Sequence, residues 1–200
     1  MNAISPERLL GPAPLAAWLG SGQAALFPTD TVPALAARPE HASALWALKQ
    51  RSLQKPLIVM GADWTQLQPL LGLPWQSDWL AMAETAWPGA VTLVLPAVGP
   101  TVEALHPGGS SLGLRVPACD AARELLALSG PLATTSANAS GQPAATTALE
   151  AAAAFPALPL LAPVLWPVAQ GTASTVLAWR PEPAGWQLLR RGAVLPPGVT

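Results

Sequence analysis

The sequence predicts an α/β domain in which helices are layered on a sheet of mixed strand direction. Three observations predict it. Short apolar runs alternate with segments of helical period, the helical segments carry start and stop residues, and polar loops follow directly on the apolar runs. A length of 200 residues suits one domain, residues 1–200, and is ample to bury an apolar core.

The elements follow in order. Ser5, Pro6 and Glu7 form a helix start, with Gly20 and Gly22 as its stop. QAALF reads as a short buried strand that ends in the loop PTDTVP. HASALWALKQ is helical and LIVM is a strand. WTQLQPLL and SDWLAMAETAW are helical, the second capped by Ser77. AVTLVLP and SLGLRVP read as strands, after which Asp120 caps AARELLALS and Gly130 ends it. PLATT is a strand leading into TTSANASG, and Thr147 with Glu150 makes a capping box for a further helix. PVLWPV, STVLAW and WQLLRR are read as the last strands.

Composition narrows the function classes. One cysteine, Cys119, excludes an internal disulfide and a multi-cysteine metal site, and fits a reducing, cytoplasmic location. The apolar stretch from Ala151 to Ala169 carries Pro156, Pro159, Pro163 and Pro167, so it is not expected to span a membrane. The N-terminus lacks the basic start and unbroken apolar core of a signal peptide. A net charge of −1 provides no general attraction to nucleic acid or anionic lipid. Nine tryptophans are scattered at apolar positions, which suits core packing better than base stacking. There is no phosphate loop, HExxH, CxxC or GxSxG motif, and His41 and His106 stand alone.

Charged residues make up 10 % of the chain, so the position of each cation carries information. Lys49, Arg51 and Lys55 cluster in LKQRSLQK, where the plain alternative is a solvated helix end. TTSANASG and PTDT taken singly are turns whose side chains bond their own backbone. Together the segments read differently. Ser136 and Asn138 are expected in extended geometry, hydroxyl and amide on one side, opposite Lys49 and Arg51. Two cations and two neutral donors without a nucleophile would bind and orient a carboxylate or phosphate. In α/β sheets such ligands gather at the carboxyl ends of strands, where both polar loops lie.

FPTDTVPAL, LKQRSLQKPLIVM, WPGAVTLVLP, LGLRVPACDAARELL, PLATTSANASGQP, STVLAW and LLRRGAV, in that order and spacing, resemble the YrdC-like threonylcarbamoyl-AMP synthase family over about residues 22–193. The resemblance implies a twisted mixed sheet with flanking helices and a concave, positively lined cavity. It implies synthesis of threonylcarbamoyl-AMP and pyrophosphate from L-threonine, bicarbonate and ATP, with Mg2+ accompanying the ATP, for N6-threonylcarbamoyladenosine formation in tRNA. Lys49 and Arg51 would carry the catalytic charge. Thr29, Thr31, Lys49, Arg51, Ser136 and Asn138 would bind substrate, and Arg51, Arg115, Ser136, Asn138, Ser174 and Arg190 would hold ATP. No side chain is expected to ligate a metal. RNA or tRNA and downstream threonylcarbamoyl transferase proteins are the further partners implied, and no membrane. The short C-terminus after Arg191 implies that the extra domain of longer relatives is missing.

Three departures from the family pattern stand out. Pro33 and Ala34 occupy the places of a tyrosine and a glycine, so an aromatic ring, a backbone donor and access to positive φ are lost. Cys119 and Asp120 stand where a histidine is usual, and PVAQG replaces a glycine pair before Ser174. The alternative is therefore a diverged, non-catalytic paralogue that binds nucleotide or RNA.

Overall fold

The computed structural model describes residues 3–167, 169 and 171–199. Helices α1 (Pro12–Gly20), α2 (Ser43–Lys49), α3 (Trp64–Leu67), α4 (Ser77–Ala86), α5 (Pro100–Leu105), α6 (Asp120–Ser129) and α7 (Ala148–Ala154) flank a sheet. Its strands are β1 (Leu9–Leu10), β2 (Ala25–Phe27), β3 (Ala34–Ala37), β4 (Ile58–Met60), β5 (Val91–Pro96), β6 (Ser111–Arg115), β7 (Leu132–Ser136), β8 (Leu160–Leu161), β9 (Thr175–Pro181) and β10 (Ala184–Arg190). They run in the order β1-β8-β2-β3-β7-β4-β6-β5-β9-β10 in one sheet. β4 and β6 are parallel, as are β5 and β9, while β3–β7, β4–β7 and β5–β6 are antiparallel, which is the mixed sheet expected.

The structure corrects several boundaries. The first helix begins at Pro12, not at Ser5: Pro6–Arg8 make one 3-10 turn, and Leu9–Leu10 pair with β8. Gly11 stays extended ahead of Pro12, as the ring of a following proline demands, and Pro12 supplies the preset φ of a first helical residue. Arg8 then donates to the carbonyls of Phe155 (2.8 Å) and Leu158 (2.9 Å), closing the end of α7. Ser77 and Asp120 are first helical residues, with Gln76 and Cys119 at the cap positions. The expected strand PVLWPV is irregular from Pro163 to Pro167, since two prolines remove ladder donors, and its Val168 lies outside the described residues. β1, β3, β8 and α5 are additional to the expected set, whereas the Thr147–Glu150 capping box is present with both of its bonds.

The two faces of the sheet are covered unequally, and this positions the site. On one face Leu35, Val59, Leu93, Leu95 and Leu114 meet Leu45, Trp46, Trp79 and Leu105 from the helices in a continuous core. On the other face α1 and α6 pack against β2, β3 and part of β4 through Leu15, Leu19, Leu125, Leu126 and Phe27. Strand alternation puts Thr134 and Ser136 of β7, Ile58 and Met60 of β4, Gly113 and Arg115 of β6 and Thr92 of β5 on that second face. The floor is tight there. A Cβ on Gly113 would lie 2.8 Å from Ile58 Cγ2, so the central strand carries no side chain at that point.

Candidate active site

A cavity of about 230 Å³ opens on this face. Its lining includes Arg51, Arg115 and Arg190, the hydroxyls of Thr31, Thr134, Thr135, Ser136 and Ser174, and the apolar Pro56, Ile58 and Met60, with no carboxylate among the described residues. From β7 to β9 the sheet takes four steps, so the site extends for roughly 19 Å at about 4.8 Å per strand. That length accommodates a nucleotide laid across the strands.

Arg51 lines the cavity, while Lys49, outside its wall, meets the lining residue Ser136, and the chain turns sharply between the two cations. Gln50 ends α2 in the left-handed region at φ 50, its N–H bonding Ala47 O while that of Arg51 bonds Trp46 O. This is the two-bond helix ending usually built on glycine. The Lys49 ammonium, in a residue only 5 % exposed, donates to Ser136 O (2.5 Å), Ser136 Oγ (3.2 Å) and Asn138 Oδ1 (3.1 Å). Burial, followed by the charge on Arg51, pushes its pKa down from 10.5 to about 8. Arg51 donates to Thr135 Oγ1 (3.0 Å), Lys55 O (2.9 Å) and Pro56 O (3.1 Å), and its buried Nε has no partner among the described residues. Lys55 is exposed, so only this third cation fits the solvated-end alternative.

The S-A-N segment departs from its expected form. The Asn138 N–H bonds Ser136 O (2.9 Å), so the backbone folds back where extended geometry was expected. The two side chains still share one side: Ser136 Oγ donates to Asn138 Oδ1 (2.5 Å), and Lys49 binds both. The Asn138 amide nitrogen donates to Ala139 O (3.0 Å) and Gln142 O (2.6 Å), knitting the loop together. Asn138 thus holds the loop and orients Lys49.

In the PTDT loop, Thr29 Oγ1 donates to Val32 O (2.7 Å) and accepts from the N–H groups of Thr31 (3.1 Å) and Val32 (3.2 Å). It shapes the turn and is absent from the cavity wall, whereas Thr31 lines it. Arg115, 2 % exposed, donates to Asp30 (2.7 Å), Thr31 Oγ1 (2.8 Å) and Gly89 O (3.0 Å), which clamps the loop to the sheet and leaves two of its five N–H groups for the cavity. Desolvation lowers the Arg115 pKa and Asp30 opposes that shift. Ala34 is an ordinary strand residue and needs no positive φ, while the Pro33 carbonyl accepts the N–H of Ala137 (2.8 Å). The replaced glycine therefore costs this backbone nothing.

At the far end Arg190 donates to Ser174 O (2.8 Å) and Ser174 Oγ (3.4 Å). In the segment PVAQG, Val168 and Gln170 lie outside the described residues. Thr92, Thr134 and Thr135 are further hydroxyls of this region not singled out by the sequence: alternation within otherwise aliphatic runs marks Thr92 and Thr134, whereas Thr135 is identified by its bond to Arg51. No tryptophan lines the cavity; Trp79, Trp179 and Trp186 pack edge to face on one another instead.

A family model covering Sua5, YciO and YrdC proteins, described as telomere recombination, matches residues 17–192. The chain belongs to the Sua5/YciO/YrdC family. Within it, the threonylcarbamoyl-AMP synthase of Sodalis glossinidius is 39% identical over 137 residues, which are 64% of this chain and 70% of that protein. The enzyme of that name from Bacillus subtilis is 38% identical over 144 residues, 68% of this chain and 40% of the other. The crystal structure of Pyrococcus abyssi Sua5 complexed with L-threonine superposes with a TM-score of 0.82 at 29% identity, covering 90% of this chain and 54% of that one. The chain thus spans about half or less of the two longer family members. Among the described residues no helix is long and apolar enough to cross a membrane.

Proposed function

We propose that the cavity makes threonylcarbamoyl-AMP and pyrophosphate from L-threonine, bicarbonate and ATP, a nucleotidyl transfer that supplies tRNA N6-threonylcarbamoyladenosine formation in the cytoplasm. One observation carries the reading: Lys49, without a carboxylate partner among the described residues, sits on Ser136 and Asn138 at the edge of a cavity whose described lining has three arginines and no acid. Such a site favours a polyanion. The family relatives named for this reaction support the same choice.

In the proposed reaction the threonine amine combines with bicarbonate to give a carbamate and water. A carbamate oxygen attacks the α-phosphorus, and the bond to pyrophosphate breaks. Lys49 and Arg51 would offset the charge that gathers on phosphate oxygens, with Ser136 and Thr135 beside them, and Arg190 and Ser174 would hold the opposite end. Asn138 and Thr29 act through the loops they shape, and Thr31 and Arg115 present the PTDT loop to the amino acid. Magnesium enters as part of the substrate MgATP: the donors here are cations and hydroxyls, which suit phosphate oxygens, so the triphosphate itself is the ion's ligand. Holding three reactants together supplies the rest of the rate. Direct contact with RNA, and delivery of the product to a transferase protein, belong to this proposal as downstream steps.

The test is pyrophosphate release by purified protein given MgATP, bicarbonate and labelled threonine. Release that requires threonine, with a labelled adenylate as product, is the expected result. Nucleotide binding without threonine-dependent release would favour a non-catalytic paralogue and overturn the proposal.

A further inference from the structure

Thr92 lies on β5, 1 % exposed, on the sheet face that carries the cavity. Its methyl group packs at Gly113, and its hydroxyl meets Ser174 Oγ at 2.8 Å. Among the described residues that is the only hydrogen-bond partner of the Thr92 hydroxyl.

Either hydroxyl could donate in this contact, and hydrogen counting favours one direction. A buried hydroxyl hydrogen without an acceptor is costly, and the one acceptor within reach of Thr92 is Ser174 Oγ, so Thr92 donates. Arg190, which has only donors, also approaches Ser174 Oγ, at 3.4 Å. The serine oxygen thereby accepts from Thr92 and faces a second, longer contact from Arg190, whose main bond is to Ser174 O at 2.8 Å. The single Ser174 hydrogen is left for a third partner, and Ser174 lines the cavity.

We propose that Thr92 is a positioning residue that forces Ser174 to act as a hydrogen-bond donor to an anionic oxygen of a bound substrate. The inference rests on the cavity being the substrate site. A nucleotide phosphate and an amino-acid carboxylate share the required chemistry, and separate titrations distinguish them.

The experiment measures equilibrium binding of MgATP and of L-threonine, each by calorimetry, to the wild type, Thr92→Val, Thr92→Ser, Ser174→Ala and the Thr92→Val/Ser174→Ala double variant. Valine keeps the shape and removes the hydroxyl; serine restores it. Thr92→Val and Ser174→Ala are expected to weaken one of the two ligands by about ten- to a hundredfold, the effect of one hydrogen bond to a charged oxygen, and Thr92→Ser to stay within about twofold of wild type. Adding Thr92→Val to Ser174→Ala is expected to change affinity less than about twofold, because the route through Ser174 is already gone. If Thr92→Val fails to fold, Thr92→Cys against Thr92→Ser carries the same comparison. Unchanged affinity in Thr92→Val, or an equal loss with and without Ser174, overturns the inference while leaving the functional proposal intact. Wild-type protein that binds neither ligand overturns both.

Discussion

Replacing Lys49 by methionine is expected to stabilise the unliganded protein while abolishing turnover. The reasoning starts from burial: the ammonium is carried by a residue 5 % exposed, and its pKa falls from 10.5 to about 8 because water has been removed from around it and Arg51 lies nearby. At about 1.4 kcal/mol per tenfold, keeping this charge at pH 7 costs the folded state on the order of 3 kcal/mol. Screening through the open cavity and the loss of three hydrogen bonds reduce the expected gain to about 1–2 kcal/mol. The deletion strands no acceptor. Ser136 O keeps the N–H of Asn138 and Asn138 Oδ1 keeps the hydroxyl of Ser136, while the methionine fills the space of the lysine stem. For a chain of this size the melting temperature should rise by about 2–8 °C at pH 7. The pH dependence supplies the sharper check. Because the folded pKa is the lower one, between about 8 and 10.5 the unfolded chain holds a proton that the folded chain has released, so wild-type stability rises relative to the variant across that window. Calorimetric melts of both proteins from pH 7 to 10 should show the gap closing. A variant that melts below wild type at pH 7, or a gap that ignores pH, would refute the argument.

Other substitutions separate frame from site. Arg115→Met leaves the Asp30 carboxylate without its partner, a loss of roughly 3–5 kcal/mol for a broken buried pair, and the melting temperature should drop by about 6–20 °C. Asp30→Asn, which still accepts from Arg115, should cost visibly less in the same melt. Gln50→Gly relieves a left-handed residue and should raise the melting temperature by about 2–4 °C, consistent with up to about 1 kcal/mol. Thr147→Ala removes the capping box of α7 and should lower it by about 2–4 °C, with MgATP affinity unchanged because the cap is outside the cavity wall.

The parts of the site legible in the sequence were those that announce themselves by charge. In a chain only 10 % charged, two cations one residue apart are conspicuous, and Lys49 and Arg51 do meet the end of β7. Partners distant in sequence were not legible: nothing local marks Asp30 as the counter-ion of Arg115, 85 positions away. β3 escaped because ALAA has neither strand propensity nor a readable period; it is a strand because both of its faces are buried and β2 and β7 hydrogen-bond to its two edges. PVLWPV failed in the opposite sense, with apolar residues suited to a strand but prolines that cannot donate to one. Ser136 and Asn138 looked like donors awaiting a ligand, but the chain bends between them and they bond each other. Composition reveals which groups are present; the backbone turn decides where their hydrogens go.

The cations of the cavity divide by whether a carboxylate answers them, and that division argues for a highly charged ligand. Arg115 has Asp30. Lys49, Arg51 and Arg190 form no ion pair among the described residues, and burial drives the pKa of each downward. Each is solvated by neutral oxygens alone: Lys49 by Ser136 and Asn138, Arg51 by Thr135, Lys55 and Pro56, and Arg190 by Ser174. Neutral acceptors hold a cation in place without cancelling its charge, so its field remains available to whatever enters. A monoanion would answer one of the three, whereas a triphosphate presented together with a carboxylate could answer all of them at once. The left-handed Gln50 between Lys49 and Arg51 adds local strain to the same corner. Stability is therefore sacrificed where charge is concentrated, and a polyanion that neutralises these groups returns it, so MgATP should raise the melting temperature of the wild type far more than that of Lys49→Met.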